Sequence, residues 1–189
     1  MSRVFAGVVA PVRQLLSGRG MPSIHDITTD PDDPPEFSAV LPLRTGNVSP
    51  PGYDGRDTAA QQRRAYPDIR PLELDVTPAR ALDESAAVAR QLGWDVVAVD
   101  RARGVLEAVD TTFWFRFTDD IVVRVRESAF RLEPEATGTG TAVASGFRGT
   151  NPGSRVDVRS KSRVGRGDLG ANARRIRMFL AALRARLAP

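Results

Sequence analysis

The chain has 189 residues and a mass of 20.5 kDa, which allows one ordinary domain with an appended segment. Its composition, 41% hydrophobic and 26% charged, is globular. The absence of cysteine and the single histidine, His25, exclude disulfide scaffolds, thiolate zinc sites, cysteine nucleophiles and multi-histidine metal centres.

No window approaches about 18 uninterrupted apolar residues, so no membrane-spanning helix is expected. No signal peptide is read either, and the expected location is cytoplasmic or peripheral to a membrane. The formal net charge of +4 is unevenly spread. Residues 144–189 carry 11 basic and 2 acidic side chains, a net of +9, and residues 1–143 carry a net of −5. Such polarity implies either an anionic partner for the C-terminal part or an internal match between the two parts.

Three regions are expected in chain order. In residues 1–21, Val4, Phe5, Val8, Val9, Val12, Leu15 and Leu16 recur at helical spacing among arginines. That pattern suits an amphipathic helix resting on a membrane surface, on a partner or on its own domain. Residues 22–76 are proline-rich, since 11 of the 14 prolines fall at or before Pro78. Proline fixes φ and extends its predecessor, so this region reads as an extended arm without long helices, packed on the domain by residues such as Ile24, Ile27, Phe37, Val40 and Leu72.

The core, residues 77–189, opens with a helix that Thr77 and Pro78 start and Gly93 stops. Its stripe is Leu82, Ala86, Ala89 and Leu92. Strands follow at about Asp95–Asp100, Gly104–Thr111, Thr112–Phe117 and Ile121–Ser128, with turns at Asp100–Arg103 and Asp119–Asp120. A long connection of residues 134–153, with a weak strand at Thr141–Phe147, precedes a last strand at Ser154–Val164. The final helix is expected from about Asp168 to Leu187, its stripe running from Leu169 through Ala173, Ile176, Leu180 and Leu183. The fold class is therefore α+β: an antiparallel meander sheet with two helices packed on one face, preceded by a proline-rich extended arm.

Alternation assigns the sheet faces. Phe113, Phe115, Phe117, Ile121, Val123, Val125, Val156 and Val158 belong under the helices. The reverse face then carries Trp114, Arg116, Arg124, Arg126, Arg155, Asp157, Arg159, Lys161 and Arg163, joined by Glu107. Seven cations there demand interleaved or bound anions. Either the acidic arm, through Asp26, Asp30, Asp32 and Asp33, crosses this face, or an external anion does.

Several strings resemble the bacterial family known only as domain of unknown function 1499. They are Ile24-His25-Asp26-Ile27-Thr28-Thr29-Asp30, Tyr66-Pro67-Asp68-Ile69, Gly93-Trp94, Asp119-Asp120-Ile121-Val122-Val123-Arg124-Val125-Arg126, and the block from Ser154 through Asp168-Leu169-Gly170-Ala171-Asn172 to Arg177. The similarity runs from about Pro22 to Leu187. It implies no established activity; many members look like envelope proteins with hydrophobic segments ahead of the domain. The lack of a spanning segment here and the longer connection from Glu127 to Gly153 depart from that pattern.

The glycine-rich corner between the last strand and helix places Asp168 where it can cap the helix, beside Arg159, Arg163 and Arg166. Helix N–H groups and arginines together suit a carboxylate or phosphate, while a cap paired with an arginine needs no ligand. The leading expectation is a non-enzymatic binding or accessory module with an anion site at Arg116, Arg124, Arg126, Arg159, Arg163, Asp168 and Asn172. A second candidate set is His25, Asp26 and Asp30. An anionic small molecule or a lipid headgroup is the expected partner, with envelope association and membrane contact through residues 1–20 as corollaries. A small hydrolase-like enzyme using Asp and Arg groups, or a nucleic-acid binder, is the alternative. No catalytic residue, metal site or cofactor is assigned, because there is no Gly-x-Ser-x-Gly elbow and no spaced calcium loop.

Overall fold

The computed structural model describes residues 22–111, 117–128, 153–165 and 167–188. The expected N-terminal helix, the 134–152 connection with its weak strand, Phe113, Trp114, Phe115 and Arg116 lie outside them.

In chain order the described elements are β1 (Asp26–Thr28), a 3-10 turn (Leu41–Leu43), α1 (Gly55–Ala65), β2 (Leu72–Leu74), α2 (Pro78–Gln91), β3 (Asp95–Asp100), β4 (Val105–Thr111), β5 (Thr118–Ser128), β6 (Gly153–Ser162) and α3 (Ala171–Leu187). They form an α+β fold around one antiparallel sheet with the order β1-β6-β5-β4-β3. β2 shares the β1 edge of β6: β1 pairs with Arg159–Lys161 and β2 with Ser154–Val156. The long strand β6 is thus the spine against which both ends of the arm are fixed.

The helices α2 and α3 cover one face. Leu82, Ala86 and Ala89 from α2 and Ala173, Ile176, Phe179 and Leu183 from α3 are buried against Leu106, Ile121, Val123, Val125, Val156 and Val158. Thr77 caps α2 by accepting the N–H of Arg80 at 3.4 Å, and Gly93 ends it at φ +82°. Trp94, just past that end, stacks on Phe179 with ring centroids 5.1 Å apart. Phe179 joins the expected α3 stripe as a fully buried member with Leu180 partly buried against the same core, and Leu169 is exposed ahead of the helix.

Three local expectations are corrected. The proline-rich region contains an 11-residue helix, α1, in the proline-free window between Pro51 and Pro67. Gln62 ties α1 to β1: it accepts the N–H of Thr28 at 3.0 Å and donates to its carbonyl at 2.6 Å. The amide thereby pairs the free side of β1 as a neighbouring strand would, and closes an exposed edge. Asp119 and Asp120 are not a turn; they sit inside β5, opposite Ser162 and Lys161. Two adjacent aspartates are tolerated in a strand because each meets arginine: Arg175 for Asp119, and Arg44 and Arg163 for Asp120. Register pairs Thr111 with Thr118, and Phe117 is exposed rather than in a buried strand. The turn expected at Asp100–Arg103 forms, with Asp100 accepting from the Arg103 backbone at 3.0 Å.

On the reverse face of the sheet lies the arm. Glu107 points into it, 2% exposed, and its carboxylate accepts the backbone N–H groups of Ser38, Ala39 and Val40 at 2.9, 2.9 and 3.1 Å. Phe37 and Val40 pack beside it on Val122. No helix among the described residues is long and apolar enough to cross a membrane.

Candidate functional site

Strand register lines up the basic side chains. Arg124 faces Asp157, Arg126 faces Arg155, Val122 faces Arg159 and Asp120 faces Lys161, and directly opposed residues share a face. The alternation read from sequence therefore holds for Arg124, Arg126, Arg155, Asp157, Arg159 and Lys161. The face is divided into an inner group and an outer group, each supplied with carboxylates by the arm.

The inner group is closed. Arg159, 1% exposed, donates to both carboxylate oxygens of Asp26 at 2.8 Å and to the carbonyls of Pro35 and Pro51 at 3.1 and 3.0 Å. Its guanidinium lies 4.7 Å from the Phe37 ring centroid and 5.5 Å from that of Tyr53. Lys161, fully buried, contacts Asp26 at 3.1 Å, Asp54 at 2.5 Å and the Gly52 carbonyl at 2.7 Å. Asp54 also stands 3.5 Å from Nε2 of His25. Arg163 donates to Asp120 at 2.7 and 3.0 Å, and Arg44 bonds the same carboxylate from the arm.

The outer group reaches solvent. Arg124, Arg126 and Arg155 converge on buried Asp157, at 3.1, 2.8 and 3.1 Å. Asp30 approaches the same three guanidiniums, 2.7 Å from Arg155, and Asp33 lies 2.8 Å from Arg126 and 3.2 Å from Arg124. Asp33 is the outermost partner, its side chain 63% exposed. The hydrogen bond from Arg126, with Arg124 adding to it, holds the Asp33 carboxyl below the usual carboxylate range.

Asp168 and Asn172 are elsewhere. Ser160 and Ser162 alternate with Arg159 and Lys161, so they point to the helix-bearing face and meet the start of α3. Asn172 accepts from Ser160 at 2.6 Å and donates to Ser162 and to the His25 carbonyl, both at 3.0 Å. Arg175 joins this network through Ser160, Asn172, Asp110 and Asp119 at 2.7–3.0 Å. Asp168 accepts the N–H groups of Gly170 and Asn172 at 3.0 and 2.6 Å, so the helix-start donors are already engaged by the chain itself. The residues singled out from sequence thus fall on two sides of the sheet. Arg159 and Asp26 form the inner group, Arg163 binds Asp120, Arg124, Arg126 and Asp30 form the outer group, and Asp168 and Asn172 stand under α3. Arg116 lies outside the described residues.

Burial pushes the Asp168 carboxyl up, with Asp119 adding to the effect and the two backbone N–H groups opposing it. The folded state then holds this proton more tightly than the unfolded chain does. Its contribution to stability is present below the ordinary value of 3.8 and is lost as pH rises through the raised folded value. The stability difference between wild type and Asp168→Asn should therefore move against wild type as pH climbs through that window. Urea unfolding at a series of pH values checks this; a difference that is flat with pH refutes it.

Sequence alone gives Arg175, Asp54 and Arg44 no place in the site, and Tyr53 reads there only as an apolar anchor of the arm. Arg175 and Asn172 had a usable signal: Ser160 and Ser162 are polar positions on an otherwise apolar strand face, which requires buried partners from the covering helix. Asp54, Arg44 and Tyr53 reach the site through the path of the arm, which no periodicity encodes.

No curated protein matches the chain. A family model described as a protein of unknown function, DUF1499, matches residues 26–135 and 143–183. These spans include the arm, the sheet and most of α3, and both halves of the charged face lie within them. With most of its length matched, and with the resemblance of its motifs running in the same order, the chain belongs to the DUF1499 family.

Proposed function

We propose that this protein is a non-enzymatic binding module whose outer arginine group takes an anionic ligand in the position held by Asp33. One observation carries the reading: three guanidiniums converge on one buried carboxylate, and their outermost partner is an exposed arm side chain. Asp26 and Asp157 are fully buried and cannot be displaced without stranding buried or half-buried cations. Asp33 differs, because an exposed ion pair is worth only about 0–1 kcal/mol. A phosphate or carboxylate of equal charge gains the same donors, and phosphate suits the bidentate geometry of arginine. The ligand is an oxyanion, free or carried on an envelope lipid headgroup.

Calorimetric titration with inorganic phosphate and co-sedimentation with phosphatidylglycerol vesicles, against phosphatidylcholine vesicles as control, test the reading. Asp33→Asn removes the internal competitor and should tighten oxyanion binding about three- to tenfold. The double variant Arg126→Ala/Arg155→Ala should abolish it. Binding to phosphatidylglycerol vesicles without binding to phosphate assigns the ligand to a lipid. Absence of binding to either by both wild type and Asp33→Asn overturns the proposal.

A further inference from the structure

The arm bounds a second feature, a cleft that shares Asp33 with the anion site but takes the rest of its lining from other residues. Residues 32–37 and 51–53 bound a cleft of about 370 Å³, within the range of small-molecule sites. Its lining includes three carboxylates, Asp32, Asp33 and Glu36, and two aromatic rings, Phe37 and Tyr53, with Arg159 at the base.

Charge decides what can enter. Arg159 is the cation of that lining, but its charge is cancelled by the bidentate bond to Asp26, and four hydrogen bonds already occupy its donors. It therefore has little to offer an anion, while the three carboxylates repel one. Asp32 and Asp33 each meet an arginine, Arg63 at 2.6 Å and Arg126 at 2.8 Å. Glu36 is exposed and pairs with no cation among the described residues. The Tyr53 hydroxyl is buried with no hydrogen-bond partner among the described residues. Burial, with the Asp26 charge adding to it, pushes that hydroxyl up to about 12, so it stays protonated at neutral pH and keeps lone pairs free to accept. A buried hydroxyl without a partner is costly unless a ligand satisfies it. Aromatic faces also attract cations, as they already do with Arg159.

From this cleft we infer a binding site for an organic cation bearing N–H groups, a primary ammonium or guanidinium on an aliphatic stem. The stem lies along the Phe37 and Tyr53 rings, and the N–H groups reach Glu36 and the Tyr53 oxygen. The same chemistry is carried by a free amine and by an arginine or lysine side chain of a peptide.

The test is titration of the intact chain, followed by amide chemical shifts, with butylammonium, its trimethylated analogue and butanol. In parallel, a blocked arginine tripeptide is compared with its citrulline counterpart. Butylammonium should bind about tenfold more tightly than butanol, with shifts centred on Phe37, Gly52 and Tyr53. The trimethylated analogue, which has no N–H, should fall between them. Glu36→Gln, at an exposed position, should weaken butylammonium several-fold without changing stability. Tyr53→Phe should weaken it as well while leaving the fold at least as stable, because it deletes an unpartnered hydroxyl. Tighter binding of the arginine tripeptide than of butylammonium, lost in the citrulline form, assigns the site to peptides; equal binding assigns it to free amines. If the three butyl probes bind alike, or none shifts these amides, the inference fails. Because phosphate binding is read through Arg126 and Arg155, that reading stands or falls separately.

Discussion

Asp26→Ala is expected to destabilise the protein by about 3–5 kcal/mol, a large share of the ~5–15 kcal/mol that holds an ordinary domain together. Asp26 is fully buried between two cations that are themselves buried, Arg159 at 1% and Lys161 at 0% exposure. Removing the carboxylate leaves Arg159 with only the carbonyls of Pro35 and Pro51, and Lys161 with Asp54 and the Gly52 carbonyl. The desolvation of both charges then goes largely uncompensated. Burial is the variable that matters, and the molecule supplies a control in the exposed pair of Arg177 with Asp68, at 2.6 and 2.7 Å. There the Arg177 hydrogen bond holds the Asp68 carboxyl below its usual range, yet both side chains are about half exposed. Asp68→Ala should therefore cost about 1 kcal/mol or less. Urea unfolding of the two variants measures the contrast, and similar losses for both would refute the assignment. The triple change Asp26→Leu/Arg159→Met/Lys161→Met should retain more stability than Asp26→Ala, since it removes the charges together.

The same group shows what sequence could and could not reveal. Period-two alternation placed Arg124, Arg126, Arg155, Arg159 and Lys161 on one face with Asp157 and Glu107, and the excess of cations required anions from the arm or from outside. Side-chain periodicity is a property of the strand alone, so it survives without knowledge of the fold. The arm's path is not such a property. That Asp26 takes Arg159, that Asp30 and Asp33 take the outer arginines, and that Asp54 takes Lys161 depends on turns and on a helix, α1, whose pattern is mostly polar. Gln62 looks like an ordinary surface glutamine until its amide is seen pairing the edge of β1. Asp119-Asp120 reads as a turn because aspartate disfavours strands; tertiary pairing with Arg175, Arg44 and Arg163 overrides that preference. The division of the predicted site follows from the same cause. Asp168 and Asn172 were grouped with the arginines by nearness in sequence, yet Ser160 and Ser162, one position out of phase with Arg159 and Lys161, carry them to the opposite face.

Arg175→Met should produce the second large loss, again about 3–5 kcal/mol, and for a reason that can be separated from lost packing. Asp119 is 2% exposed, one of its oxygens has no hydrogen-bond partner among the described residues, and the other is held by Arg175 at 2.7 Å. Asp110 lies 2.8 Å from the same arginine, so the end of the sheet holds two carboxylates on one guanidinium. Met preserves most of the aliphatic volume, leaving the charge and the bonds to Ser160, Asn172 and Asp110 as the loss. Pairing Arg175→Met with Asp119→Leu removes the stranded charge, and the double variant should be more stable than Arg175→Met alone by about 1–3 kcal/mol. A double-mutant cycle in urea gives this coupling directly. Additive losses would mean that Arg175 acts through Asn172, Ser160 and Asp110, and its pair with buried Asp119 would then have no part in holding α3 to the sheet.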